Sequence, residues 1–139
     1  MNAKKLSFLL LILVAVACTN RSTSSEQDEM RHWNNVLQQI NALLLENKAR
    51  QTLDLAKQTL PEILESAEKN GTTDTLIYYA RKIFNACGNN YINTKQYKDG
   101  IDYMDSIGNH PLIREHCPHE LLSFKAGLNL SLIHISEPT

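Results

Sequence analysis

From residue 30 onward, apolar residues recur at steps of three and four, the period of a helix with one buried face. Met30, Trp33, Leu37, Ile40 and Leu44 mark the first such face. Ser25 stands ahead of it as an N-cap. Glu26, Asp28 and Glu29 fill the first turn, where carboxylates suit the positive end of the helix dipole. The pattern predicts a first helix over residues 25–47 and a second over 48–69. The second turns Ala49, Leu53, Ala56, Leu60, Ile63, Leu64 and Ala67 inward. Pro61 is expected to kink it, since proline lacks the N–H and crowds the preceding turn. Asn70-Gly71 is a helix stop. Thr73 or Asp74 caps a third helix to about Asn93, with Leu76, Ile77, Ala80, Ile83, Phe84, Cys87 and Tyr91 inward. A fourth is predicted over 94–107, ending at Gly108-Asn109. Residues 112–118 read as a loop, and a fifth helix begins near His119. One-sided helices with short connections imply antiparallel hairpins, so the expected fold class is all-α.

The beginning of the chain follows another pattern. Lys4 and Lys5 precede an almost wholly apolar run over 6–16, which ends in Ala15-Val16-Ala17-Cys18. Such a run is short of the roughly 20 residues that span a bilayer and has the length of a secretory h-region. The small residues before the cysteine resemble the lipobox of bacterial lipoproteins, with Ala15 where that family usually has leucine. The resemblance implies a signal peptide over 1–17 and an acylated Cys18 as the mature amino terminus. Membrane lipid would be the partner held through Cys18, since two or three acyl chains anchor stably where one does not. Thr19 and Asn20 replace the aspartate that retains such proteins at the inner membrane. The resemblance thus implies the outer membrane, facing the periplasm. Residues 18–25 are polar and aperiodic, the composition of a flexible tether.

Within the third and fourth helices, Phe84-x2-Cys87-Gly88-x2-Tyr91 is followed by Tyr97, Gly100-x3-Met104 and Pro111. This spacing resembles the tetratricopeptide repeat, whose pattern runs Trp-x2-Leu-Gly-x2-Tyr, then Ala-x3-Phe, then Pro. The resemblance implies that Gly88 and Gly100 sit where the helices of one hairpin cross closely. Phe84, Cys87, Tyr91, Tyr97 and Met104 would pack around that crossing. It further implies a solenoid of stacked hairpins over 26–129, with a degenerate first unit and a severed last one. The outward residues of the third helix, Tyr78, Tyr79, Lys82 and Asn89, would line its groove.

The severing is inferred from residues 130–139, Leu-Ser-Leu-Ile-His-Ile-Ser-Glu-Pro-Thr, which resemble a translated transposase-type sequencing adapter. On that reading the tail is artefactual and is excluded from fold reasoning.

Charge narrows the partners. Loss of Lys4 and Lys5 with the signal leaves 12 basic against 15 acidic residues, a net of −3, so no basic footprint for nucleic acid remains. Of the remaining cysteines, Cys87 falls on the apolar stripe of the third helix and reads as a buried thiol rather than half of a disulfide with Cys117. His110, His116, Cys117 and His119 carry metal-capable donors, but their spacing fits no structural zinc module. They read as a polar connection in which Pro118 opens the next helix. Asp99, Asp102 and Asp105 read as a solvated face. No phosphate loop, nucleophile elbow or carboxylate pair appears, so no catalytic residue, metal or cofactor is assigned.

The expected function is a membrane-anchored periplasmic scaffold that binds a protein or peptide. The alternative is the sensor portion of a longer membrane-bound signalling protein, either a histidine kinase or a helix-turn-helix regulator. The anchor is directly testable. Expressed in a lipoprotein-competent host, the mature chain should begin at Cys18 and carry the mass of its acyl groups. An unmodified Cys18 in the mass spectrum, or cleavage elsewhere, defeats the expectation.

Overall fold

The computed structural model describes the backbone of residues 3–136 and the side chains of residues 24–136. The elements are α1 (Ala3–Leu45), α2 (Ala49–Asn70), α3 (Asp74–Asn93), α4 (Tyr97–Ile107), α5 (Pro111–His116) and α6 (Pro118–Ser136). The fold is all-α, with no strand among the described residues. Two compact units divide the chain, residues 1–33 and 34–139.

α1 departs from expectation at its start. It begins at Ala3 rather than at Ser25 and carries helical backbone through residues 18–25, where a tether was expected. Residues 3–45 contain neither glycine nor proline, so nothing in the sequence breaks the ladder of hydrogen bonds from each residue to the fourth before it. The side chain of Cys18 lies outside the described residues, as do residues 137–139. Among the described residues, no helix is long and apolar enough to cross a membrane.

In the second unit, two connections share one geometry. After α1, Asn47 takes φ 56°, and after α3, Lys95 takes φ 57°. The Lys48 N–H donates to the Leu43 carbonyl at 2.9 Å, and the Gln96 N–H to the Tyr91 carbonyl at 3.0 Å. This is the Schellman closure, in which a left-handed residue lets the chain satisfy the last helical carbonyls. Lys48 (φ −92°, ψ 60°) and Gln96 (φ −90°, ψ 57°) then launch α2 and α4 in the same way. The α2–α3 connection is built differently. Gly71 takes φ 88° and donates its N–H to the Ala67 carbonyl, and Thr73 caps α3 by accepting from the Leu76 N–H at 3.2 Å.

α3 is the centre of the unit. It packs on α2, α4, α5 and α6, and Ala80, Ile83, Phe84 and Cys87 are fully buried. α2 meets it along most of its length through Leu53, Ala56, Leu60, Ile63 and Leu64, all buried, and runs unbroken through Pro61. Thr52 and Thr59 are buried too. Each donates its hydroxyl to the carbonyl four residues back, so the polar group travels inward already satisfied. On α1, Trp33 and Ile40 are buried as expected, but Val36 is buried where Leu37, half-exposed, was expected, and Leu44 is exposed.

Residues 112–116, expected as part of a loop, form α5 together with Pro111. Pro111 occupies the first helical position, where its missing N–H costs nothing. His110 caps the helix by accepting from the Leu112 N–H at 3.2 Å. Leu112, Ile113 and Cys117 are buried.

α6 lies across α3 and α4. Its Phe124 ring meets Phe84 edge-on at 5.7 Å between centroids. A Cβ on Gly88 would stand 2.5 Å from three Phe124 ring carbons, and one on Gly100 would stand 2.9 Å from a Leu128 methyl and 3.0 Å from the Tyr91 Cβ. Gly100 thus adjoins its partner helix as well as α6. Gly88, expected at the crossing within its own hairpin, instead admits the next helix. Beyond Leu128 no side chain of α6 is fully buried, and Leu130, Ile133 and Ile135 are all more than half exposed.

Gly88→Ala should therefore lower unfolding stability by about 1–3 kcal/mol through overpacking. Phe124→Ala in the same background should recover part of the loss, because it vacates the contested space. Urea titration of the double-mutant cycle measures this, and additive losses would refute the close approach.

Candidate binding groove

A groove of about 360 Å³ opens between α1 and α3 in the second unit. The α1 wall is Leu37, Ile40, Asn41 and Leu44. The α3 wall carries Lys82, Asn85, Asn89 and Asn93 over Ala86 and Asn90. The walls differ in balance: α1 offers three alkyl side chains and one carboxamide, Asn41, whereas α3 offers mainly carboxamides.

Two of the four expected groove residues, Lys82 and Asn89, line this groove. Tyr78 and Tyr79 do not. Their rings pack edge-on at 5.3 Å, and the Lys82 ammonium sits 5.6 Å from the Tyr78 ring centroid. The sequence reading missed Asn85, Asn90, Asn93 and the whole α1 wall. The signal for the first was present, since Asn85, Asn89 and Asn93 follow one another at steps of four.

Asn90 is fully buried at the groove. Its Nδ2 donates to the Ala86 carbonyl at 2.8 Å, and its Oδ1 meets no donor. A buried acceptor left unpaired costs about 1–3 kcal/mol.

Behind the groove wall lie the residues of the expected repeat motif. Phe84, Cys87, Tyr91 and Met104 are buried, and Tyr97 is half-buried. The Tyr91 and Tyr103 rings stand 5.3 Å apart, and the Lys57 ammonium covers them at 5.5 and 5.8 Å. A hydrogen bond to Tyr91 raises the Lys57 pKa above its ordinary value. The Cys87 sulfur is 3.7 Å from the Tyr103 hydroxyl. Burial pushes the Cys87 thiol up to about 12 and raises Tyr103 well above the usual phenol range. A thiol held protonated this way is a poor nucleophile. Burial also raises Cys117, and neither it nor Cys87 forms a disulfide.

The histidine-rich connection is occupied structurally. His110 Nε2 lies 3.1 Å from a Glu68 carboxylate oxygen. The His116 carbonyl accepts from Arg81 Nη2 at 2.6 Å, and Arg81 Nε pairs with Glu120 at 3.1 Å. Among the described residues, no group of three or more His, Cys, Asp or Glu side chains is placed to hold a metal ion. Asp99, Asp102 and Asp105 are exposed, with Asp105 paired to Lys125 at 2.6 Å.

The raised Cys87 pKa fixes a sign for stability. Above the unfolded-state value near 8.5, the unfolded thiol releases its proton while the folded one keeps it until about 12, so stability falls as pH rises through that window. The slope from this group is about 1.4 kcal/mol per pH unit. Cys87→Ala should lower stability at neutral pH but flatten the decline between roughly pH 9 and 11. Equal slopes for both chains in denaturant titrations would contradict the assignment.

Compared with family models, with curated proteins and with solved structures, the chain matches none.

Proposed function

We propose that this chain is a lipid-anchored envelope protein whose tetratricopeptide-like hairpins hold a protein or peptide partner in the α1–α3 groove. The observation that carries the reading is the groove itself, with a largely alkyl wall on α1 and a carboxamide wall on α3. Its lining offers amides and a single ammonium but no imidazole, thiol, carboxylate or hydroxyl. Such a set suits recognition, whereas acid–base or nucleophilic catalysis needs groups that transfer protons or attack.

Two further features support a repeat scaffold. The same Schellman turn joins α1 to α2 and α3 to α4, as expected of two copies of one hairpin. α6 then covers both members of the second hairpin, the position of the first helix of a third unit. The ordering of Lys4, Lys5, the apolar run and Ala17-Cys18 supports the lipid anchor and a place on the periplasmic face of the outer membrane. Residues 130–136 bury no side chain fully, which supports reading the tail as foreign to the fold.

Site-specific photo-crosslinking tests the groove. A benzophenone amino acid at Asn89 should yield discrete protein adducts in cells of the source organism. The same probe at Asp102, on the exposed face of α4, should not. No adduct from position 89, or the same adducts from both positions, would defeat the reading.

A further inference from the structure

We propose that His110 is a pH-sensitive clasp: when neutral it ties the first turn of α5 to α2, and acid releases that turn.

Two contacts locate the proton on the ring. The Leu112 N–H donates to His110 Nδ1 at 3.2 Å, so Nδ1 carries a lone pair. His110 Nε2 lies 3.1 Å from a Glu68 carboxylate oxygen. An ionised carboxylate only accepts, so Nε2 carries the hydrogen. Together the contacts require the neutral Nε2–H tautomer, which links the start of α5 to α2 through one ring.

The cap is the contact that acid removes. Pro111 has no N–H, so the Leu112 N–H is the first that α5 has to satisfy. A second proton on the ring goes to Nδ1, and an N–H there meets the Leu112 N–H donor to donor. Imidazole ordinarily changes charge between roughly pH 5 and 8. The cap is therefore complete above that range and lost as pH falls through it. The Glu68 contact survives, because a charged ring attracts the carboxylate more strongly. The far end of α5 also holds, since Arg81 Nη2 donates to the His116 carbonyl at 2.6 Å and neither group titrates in that range. α5 thus opens from Leu112 and Ile113, both buried, about a fixed point at His116.

The other charges on these elements are engaged with one another or stand in solvent. On α2, Glu65 pairs with Lys69 at 2.6 Å. On α5, Arg114 lies 3.9 Å from Glu115. Asp105 of α4 and Arg81 of α3 pair with Lys125 and Glu120 of α6 at 2.6 and 3.1 Å. Asp74, at the start of α3, is exposed, as is His119, while His116 is half-buried. The cap of α3 provides an internal reference. Thr73 accepts from the Leu76 N–H at 3.2 Å, the same distance, through a hydroxyl that does not titrate in this range.

Imidazole nitrogen shifts and amide hydrogen exchange, read by NMR on the full chain in detergent micelles, test the clasp. At neutral pH the His110 ring should show the Nε2–H tautomer, and an Nδ1–H tautomer would overturn the inference. From about pH 7.5 to about pH 5, the protection of the Leu112 amide relative to an unstructured chain should fall about fivefold, the fold-change of one helix cap. Leu76 should keep its protection. His110→Asn supplies a favoured cap with no proton to gain, so Leu112 should stay protected throughout. Glu68→Gln should move the loss to lower pH, because the charged ring then lacks its carboxylate. Protection at Leu112 that is flat with pH, that falls equally in His110→Asn, or that falls in parallel with Leu76 shows acid acting elsewhere and overturns the proposal.

Discussion

The ring of Phe124 fills the space that a side chain on residue 88 would need, and the edge of that ring meets Phe84. This close approach seats α6 on α3. Because Phe124 and Leu128 lie on one face of α6, the same docking also brings Leu128 over Gly100 and so covers α4. α4 has only Gly100 and Met104 fully turned inward and would bury little on its own. α3 is therefore enclosed from several sides, by α2 along its length and by α6 at the glycine. What it leaves open is the carboxamide face toward α1. Packing on one side of α3 and an open groove on the other are two consequences of the same crowded helix.

Much of this was legible in the sequence because local signals agreed with tertiary need. Gly71 supplies the positive φ that its position suggested, and Thr73 makes the cap its hydroxyl offered. The inward stripes of α2 and α3 follow the apolar period almost residue by residue. α5 escaped notice for the opposite reason. Six residues are too few to show a period, and the cap is a histidine, a residue with no strong capping preference. The shift from Leu37 to Val36 on α1 reflects a helix whose apolar residues are spread around it, so that tertiary contact rather than pattern chooses the buried face.

The groove was half legible. Lys82 and Asn89 were expected among the outward residues of the third helix and line the groove, whereas Asn85, Asn90 and Asn93 were not named. Asn90 could not be foreseen at all. Nothing in a sequence distinguishes an asparagine that caps or solvates from one buried with its carbonyl oxygen unmet. Gly88 was correctly singled out as a place of close approach, but its neighbour belongs to a helix that the motif does not include. Short motifs register that space is scarce, and only the assembled helices reveal what occupies it.

The burial pattern of α6 also bears on how the molecule opens and closes in time. Its last fully buried side chain is Leu128, and the helix continues to Ser136 with its remaining side chains half-buried or exposed. Isolated helical turns form and melt on sub-microsecond timescales, whereas segments locked into a core open only with the global transition. Amide hydrogens near Phe124 and Leu128 would thus exchange on the slow clock of whole-unit unfolding. Those past Ser131 would exchange on a clock many orders of magnitude faster, giving a single helix a steep internal gradient of motion.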